Sequence, residues 1–244
     1  MQVLDVKMPL GPISLRGRLR SGSTEPLVLA IGGLFPPPDQ LAWIVDAFPE
    51  SDVLVARLPG MWGPALASNT LEAITEAFDK AIGLVAAGRP RVLVGSSTGA
   101  LVALGLGADR LILDEPFFRT GAFPFLTALA LERAASQPDG RLAKFVEELL
   151  GITADDPRGR DLSHLMEAVR PGTVVLCGGR ERGDWCSMTL PADRAALAAR
   201  GARVLVGPPD RGHDVCIQGP GRTQLETEIR LALAQLKAQP PAAA

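Results

Sequence analysis

The stretch from Arg91 to Leu104, Arg-Val-Leu-Val-Gly-Ser-Ser-Thr-Gly-Ala-Leu-Val-Ala-Leu, decides the fold. Val92 to Val94 is a short apolar run of the kind that forms a strand buried on both faces. Ala100 to Leu104 suits a helix, and the five residues Gly95-Ser96-Ser97-Thr98-Gly99 must turn one into the other. That turn is a Gly-x-Ser-x-Gly motif between a strand and a helix. Side chains at the two glycine positions would collide with neighbouring backbone, so Gly95 and Gly99 make room while Ser97 protrudes. The following helix aims its free N–H groups and positive dipole end at the same spot, where the Thr98 amide can stabilise a developing oxyanion. A phosphate loop would need Gly-Lys-Ser/Thr here, and Gly105-Leu-Gly107 falls at a helix end instead of after a strand.

Working outward, further apolar runs lie at Leu27–Ile31, Val53–Ala56, Leu111–Leu113, Val174–Cys177 and Val204–Val206. Helical spacing separates them, as in Leu71, Ile74, Phe78 and Ile82 before Gly88 and Pro90, and in Leu225, Ile229, Leu233 and Leu236. This alternation predicts an α/β fold with a mostly parallel sheet covered by helices on both sides. Ile13, Leu15, Gly17 and Leu19 alternate with Ser14, Arg16, Arg18 and Arg20, which reads as an antiparallel edge strand with one wet face. The roughly 60 residues between the strands at Leu113 and Val174 exceed one ordinary connection. Residues 117–170 are therefore expected to form a small helical lid inserted into a single core of 1–116 and 171–240, with 241–244 a frayed tail. Pro36-Pro37-Pro38 reads as a rigid loop.

At these residues the chain resembles the α/β-hydrolase family, over nearly its whole length. Gly32-Gly33-Leu34, after the first parallel strand, is similar to that family's oxyanion loop, although the usual histidine is absent. The resemblance implies a second oxyanion donor at the Leu34 amide, or at Gly33 if the register shifts by one. Arg57-Leu-Pro-Gly-Met-Trp-Gly resembles the pocket-shaping Asp-Leu-Pro-Gly-His-Gly loop, with Arg57 and Met61 departing from it.

A serine hydroxyl is a poor nucleophile at neutral pH and needs an imidazole within hydrogen-bond reach. The chain has two histidines. His213 lies in a Gly-His-Asp sequence after the last strand and before the final helix, where the family places its base. His164, in Asp-Leu-Ser-His-Leu-Met, falls on a helical stretch of the expected lid and suits a surface role. For the third member of a triad, three carboxylates compete. Register in Gly178-Gly-Arg-Glu favours Glu181, residue preference favours Asp184, and some lipases and thioesterases of this fold place the acid on the earlier strand that ends at Asp114.

The whole chain of 244 residues is enough for one core and one active site. A net charge of -2 offers no electrostatic attraction to nucleic acid or to an anionic membrane. Cys177, Cys186 and Cys216 form no CxxC pair, and with so few histidines no metal is expected. No cofactor is expected either. No apolar run reaches the length of a membrane span, and the charged N-terminal stretch lacks a signal-like core, so a cytoplasmic location is expected. Phe117, Phe118, Phe123, Phe125 and Phe145, with Trp62 and Trp185, would give an apolar cleft suited to an acyl chain or a small hydrophobic alcohol. The expected function is hydrolysis of a small-molecule carboxylic ester through an acyl-enzyme. An acyl thioesterase is the alternative within the same chemistry, and a non-catalytic binding member of the fold is the alternative in another class.

Overall fold

Strands form where the apolar runs are too short for helices and are bounded by turn residues. They are β1 (Gln2–Val6), β2 (Ile13–Arg18), β3 (Leu27–Ile31), β4 (Asp52–Ala56), β5 (Arg91–Ser96), β6 (Arg110–Asp114), β7 (Val174–Cys177) and β8 (Arg203–Val206). The helices are α1 (Trp43–Ala47), α2 (Leu71–Ala86), α3 (Thr98–Gly105), α4 (Pro124–Ala135), α5 (Arg141–Leu150), α6 (Pro191–Ala199) and α7 (Gly219–Lys237). This computed structural model describes residues 2–6, 11–34, 40–60, 65–136, 141–213 and 219–238. The expectations for Pro36–Pro38, Met61, Trp62, Cys216 and 241–244 lie outside the described residues.

The eight strands form one sheet in the order β1-β2-β4-β3-β5-β6-β7-β8. From β4 to β8 every pair is parallel, while β2 pairs antiparallel with both β1 and β4. The expected edge strand at Ile13–Arg18 is therefore an interior strand. β1 covers its outer side, and Ser14 is buried along with Ile13 and Leu15. Its alternating arginines suggest an edge, but Gln2–Val6 supplies the outer strand.

Both faces of the parallel strands are buried, as continuous apolar runs require. In β3, Leu27, Leu29 and Ile31 point into a core formed with α2 and α3, whereas Val28 and Ala30 point into a second core with α1 and α7. This alternation follows from the two-residue period of a strand. α2 is seated by its N-cap, where the Thr70 hydroxyl accepts the Ala73 N–H at 3.2 Å. At the opposite end of the sheet from the serine turn, fully buried Asp52 accepts hydrogen bonds from Arg20 and Arg89 at 2.9 and 2.6 Å. Burial works to raise its pKa, but those donors outweigh it and hold the carboxyl below the usual range.

Between β6 and β7 lie α4 and α5, flanked by 3₁₀ turns at Thr120–Ala122 and Ser163–Ala168. Phe117, Phe118, Phe145, Leu149 and Leu150 from this insertion enter the larger core. The aromatic residues Phe117, Phe118 and Phe145 thus serve packing. No described helix is long and apolar enough to cross a membrane.

The connection out of β3 runs to β4 on one side, and the chain then returns to place β5 on the other. The connections leaving the carboxyl ends of β3 and β5 run to opposite sides at that point, where open α/β sheets leave a crevice for a ligand. The Gly32-Gly33-Leu34 loop and the serine turn both lie there.

Candidate active site

β5 ends at Ser96 and α3 starts at Thr98, so Ser97 alone makes the turn. It does so with φ 56° and ψ -121°, a conformation that side-chain-bearing residues rarely adopt. The strain is held from several sides. The Ser97 N–H donates to the Asp114 carbonyl at 2.8 Å, and the Ser96 hydroxyl donates to Asp114 Oδ2 at 2.7 Å. A Cβ on Gly99 would come within 2.2 Å of the Ile31 carbonyl oxygen, and one on Gly95 within 2.5 Å of Ala100 Cα. Both glycines are therefore needed to press α3 against the ends of β3 and β5.

His213 comes from the loop between β8 and α7. Its Nε2 is 2.9 Å from Ser97 Oγ, a hydrogen-bond distance. The ring is 11% exposed, so it is shielded yet reachable from solvent. The loop is pinned from behind, because the His213 N–H donates to the Trp185 carbonyl at 3.1 Å. Gly212 permits this approach, since a Cβ there would lie 1.8 Å from the same carbonyl oxygen.

On the far side of the imidazole, Nδ1 faces Glu115 Oε2 at 3.6 Å. That is an ion-pair separation, longer than a hydrogen bond. Among the described residues, Glu115 is the carboxylate that faces the ring. It has φ 50° and is fully buried. Its oxygens are held by the Gly178 N–H, by the Ser187 hydroxyl at 2.8 Å, and by the Met188 and Thr189 N–H groups at 2.6 and 3.3 Å. Each of its two oxygens is thus met by two donors, as a buried polar group requires.

The three expected acids sit elsewhere. Glu181 is 62% exposed and pairs with Arg194 at 3.8 Å. Asp184 is exposed on the same loop. Asp114 is buried, but its Oδ2 is directed to Ser96. At the end of β6, Asp114 braces the turn, and Glu115, the next residue, points to the histidine. The Gly178–Thr189 loop, where an acid was expected, supplies hydrogen-bond donors to Glu115 instead. A signal for this was present in Leu111-Ile-Leu-Asp-Glu-Pro, because two carboxylates ending an apolar strand must both find buried partners. His164 is exposed on the 3₁₀ turn Ser163–Ala168, apart from these groups.

Facing the serine from β3, a Cβ on Gly33 would lie 2.8 Å from Ser97 Cβ, so the Gly32-Gly33-Leu34 loop packs directly on it. Leu34 and Thr98 are both buried at this junction. Cys177 and Cys186 are also nearby. Burial, and then the Glu115 charge, pushes the Cys177 thiol up to about 12, and the same causes raise Cys186. Both remain protonated and weakly nucleophilic at neutral pH, which leaves Ser97 without a competing thiolate from either of them.

No family model matches this sequence, and no curated protein matches it. Solved structures do. A lipase from Acinetobacter baumannii AYE, described as putative, superposes with a TM-score of 0.68 at 16% identity, covering 98% of this chain and 93% of its own. An esterase from Thermogutta terrifontis superposes at 0.60 with 19% identity, covering 97% and 99%. A thioesterase domain from the curacin biosynthetic pathway superposes at 0.58 with 16% identity, covering 98% and 99%. At such identities the likeness concerns architecture, and the architecture of this chain is the α/β-hydrolase fold.

Proposed function

We propose that this protein is a serine hydrolase that cleaves a carboxylic ester of a small-molecule substrate through an acyl-enzyme. The observation that carries the reading is the 2.9 Å approach of His213 Nε2 to the hydroxyl of a serine held at positive φ on a strand-to-helix turn. A serine without chemistry to perform has no reason to occupy a strained turn with its hydroxyl against an imidazole. The fold shared with a lipase, an esterase and a thioesterase domain supports the same class.

To act as base the imidazole carries its proton on Nδ1, toward Glu115, and offers the Nε2 lone pair to the Ser97 hydroxyl. As Ser97 Oγ attacks the ester carbonyl carbon, its proton passes to Nε2, and the C=O π electrons move onto oxygen. The Thr98 amide, at the N-terminus of α3, and the Leu34 amide stabilise that oxyanion. Glu115 stabilises the imidazolium. The oxyanion collapses, the C–O bond to the leaving group breaks, and His213 gives its proton to the departing alcohol. Water then takes the place of the alcohol, with His213 as base, and releases the acid. No metal or cofactor enters these steps.

The test is reaction of the purified protein with a fluorophosphonate probe, read by intact mass. One equivalent on the wild type, lost in Ser97→Ala and slowed by about a thousandfold or more in His213→Ala, is expected. An unlabelled, folded wild type would refute the nucleophile. Turnover of oxygen esters against acyl thioesters of the same acid then assigns the leaving group.

A further inference from the structure

Trp185 is the least economical residue of the site loops. It is a large aromatic side chain at φ 56°, a conformation that bulky residues avoid, and it is 45% exposed. A residue in such a position needs a reason beyond packing. Its backbone belongs to the polar assembly, since its carbonyl accepts the His213 N–H and the loop it sits on cradles Glu115 from Ser187, two residues on. Its indole belongs to the insertion. The ring packs on Phe125, in the first turn of α4, with centroids 5.4 Å apart and planes tilted by 51°. Phe125 is half-buried and meets the edge of Phe123 at 6.4 Å. Two partly exposed rings thus run from the insertion to the backbone of His213.

We infer that Trp185 and Phe125 form the wall that receives the leaving alcohol and select an aromatic or bulky apolar one. This rests on the hydrolase reading above. In that chemistry the imidazolium hands its proton to the departing oxygen, so the leaving group lies on the His213 side of the scissile bond. The Trp185 carbonyl accepts the His213 N–H, so the Trp185 loop adjoins the residue that delivers this proton. Indole and phenyl rings in contact, each with an open face, offer a flat apolar surface that pairs with another ring in stacked or edge geometry.

The experiment compares the benzyl and methyl esters of butanoic acid. Their alcohols have nearly the same acidity, so the ratio of kcat/KM reports binding of the leaving group and not its departure. The wild type is expected to favour the benzyl ester at least tenfold. Trp185→Ala and, independently, Phe125→Ala should each collapse that ratio at least fivefold, while Trp185→Phe keeps most of it. Phe125→Ala serves as the second variant should Trp185→Ala fail to fold. A wild-type ratio near one, or a ratio unchanged in the alanine variants, overturns the proposal, because a residue that merely braces His213 would slow both esters alike. Fluorophosphonate labelling of Ser97 is run on the same samples. Labelled protein with no benzyl preference sinks the wall alone, whereas unlabelled wild type sinks the hydrolase reading and the wall with it.

Discussion

Replacing Glu115 by glutamine tests the arrangement at its least expected point. The carboxylate is 3.6 Å from His213 Nδ1. At that separation, and with an effective dielectric constant of about 20, a carboxylate and an imidazolium attract by about 4.6 kcal/mol. The attraction comes into play as the imidazole takes the Ser97 proton in the proposed mechanism, so its loss falls on kcat. It corresponds to about three decades of rate. Glutamine keeps the shape of the side chain and can keep an acceptor toward Nδ1, so the tautomer survives while the charge does not. The amide cannot satisfy all the donors that now converge on the carboxylate. If its NH₂ takes the place of Oε1, Ser187 can rotate to accept, but the Gly178 N–H is left without a partner. That orphan costs about 2 kcal/mol, or about 6 °C in Tm for a chain of this size. The assay is kcat on an activated acetate ester, with thermal melts on the same preparations and with Glu181→Gln and Asp184→Asn as controls expected within twofold of wild type. A folded Glu115→Gln protein with kcat within threefold of wild type would refute the assignment, all the more so if either control variant were inactive.

Two further outcomes follow from the packing and the charges. Gly99→Ala drives a methyl group to 2.2 Å from the Ile31 carbonyl and should cost at least about 2 kcal/mol as α3 lifts from β3, read from the urea midpoint, with esterase turnover falling as Ser97 moves. Asp52→Asn, far from the site, should lower stability by about 3 kcal/mol at pH 7 and leave turnover unchanged. Because the folded-state pKa of Asp52 lies below its unfolded value near 3.8, its contribution is complete above that value. The gap between wild type and variant should therefore shrink as pH falls from about 4 toward the depressed folded value, and urea titrations at pH 7 and pH 3 check this.

What could be read in the sequence and what could not divides along the range of the interactions. The serine turn is local chemistry: an apolar strand, two glycines four apart and an apolar helix leave Ser97 little choice of conformation. His213 is nearly as local, because its place after the last strand and before α7 follows from the order of elements. Both are brought within 2.9 Å of each other, as the motif spacing led one to expect. β2 was misplaced at an edge because its alternating arginines resemble a wet face, and only the pairing of Gln2–Val6 onto it turns it into an interior strand. Strand order of this kind depends on which chain segment arrives at an open edge, and no local pattern encodes that.

The acid was hidden for a different physical reason. Successive residues on a strand point to opposite faces, so Asp114 and Glu115 could not both face the histidine if β6 simply continued. β6 ends at Asp114, and Glu115 takes φ 50°, which swings its longer side chain out of the sheet alternation and toward β7. There its own N–H still donates to the Leu176 carbonyl at 2.9 Å, so the backbone stays docked while the carboxylate turns. The shorter Asp114 braces Ser96 and the longer Glu115 spans to the imidazole, each chain length suited to its task. With the carboxylate supplied from β6, the loop after β7 is relieved of carrying an acid, and Gly178, Ser187, Met188 and Thr189 can commit hydrogen-bond donors to it. Glu181 and Asp184 on that loop face water, away from the imidazole.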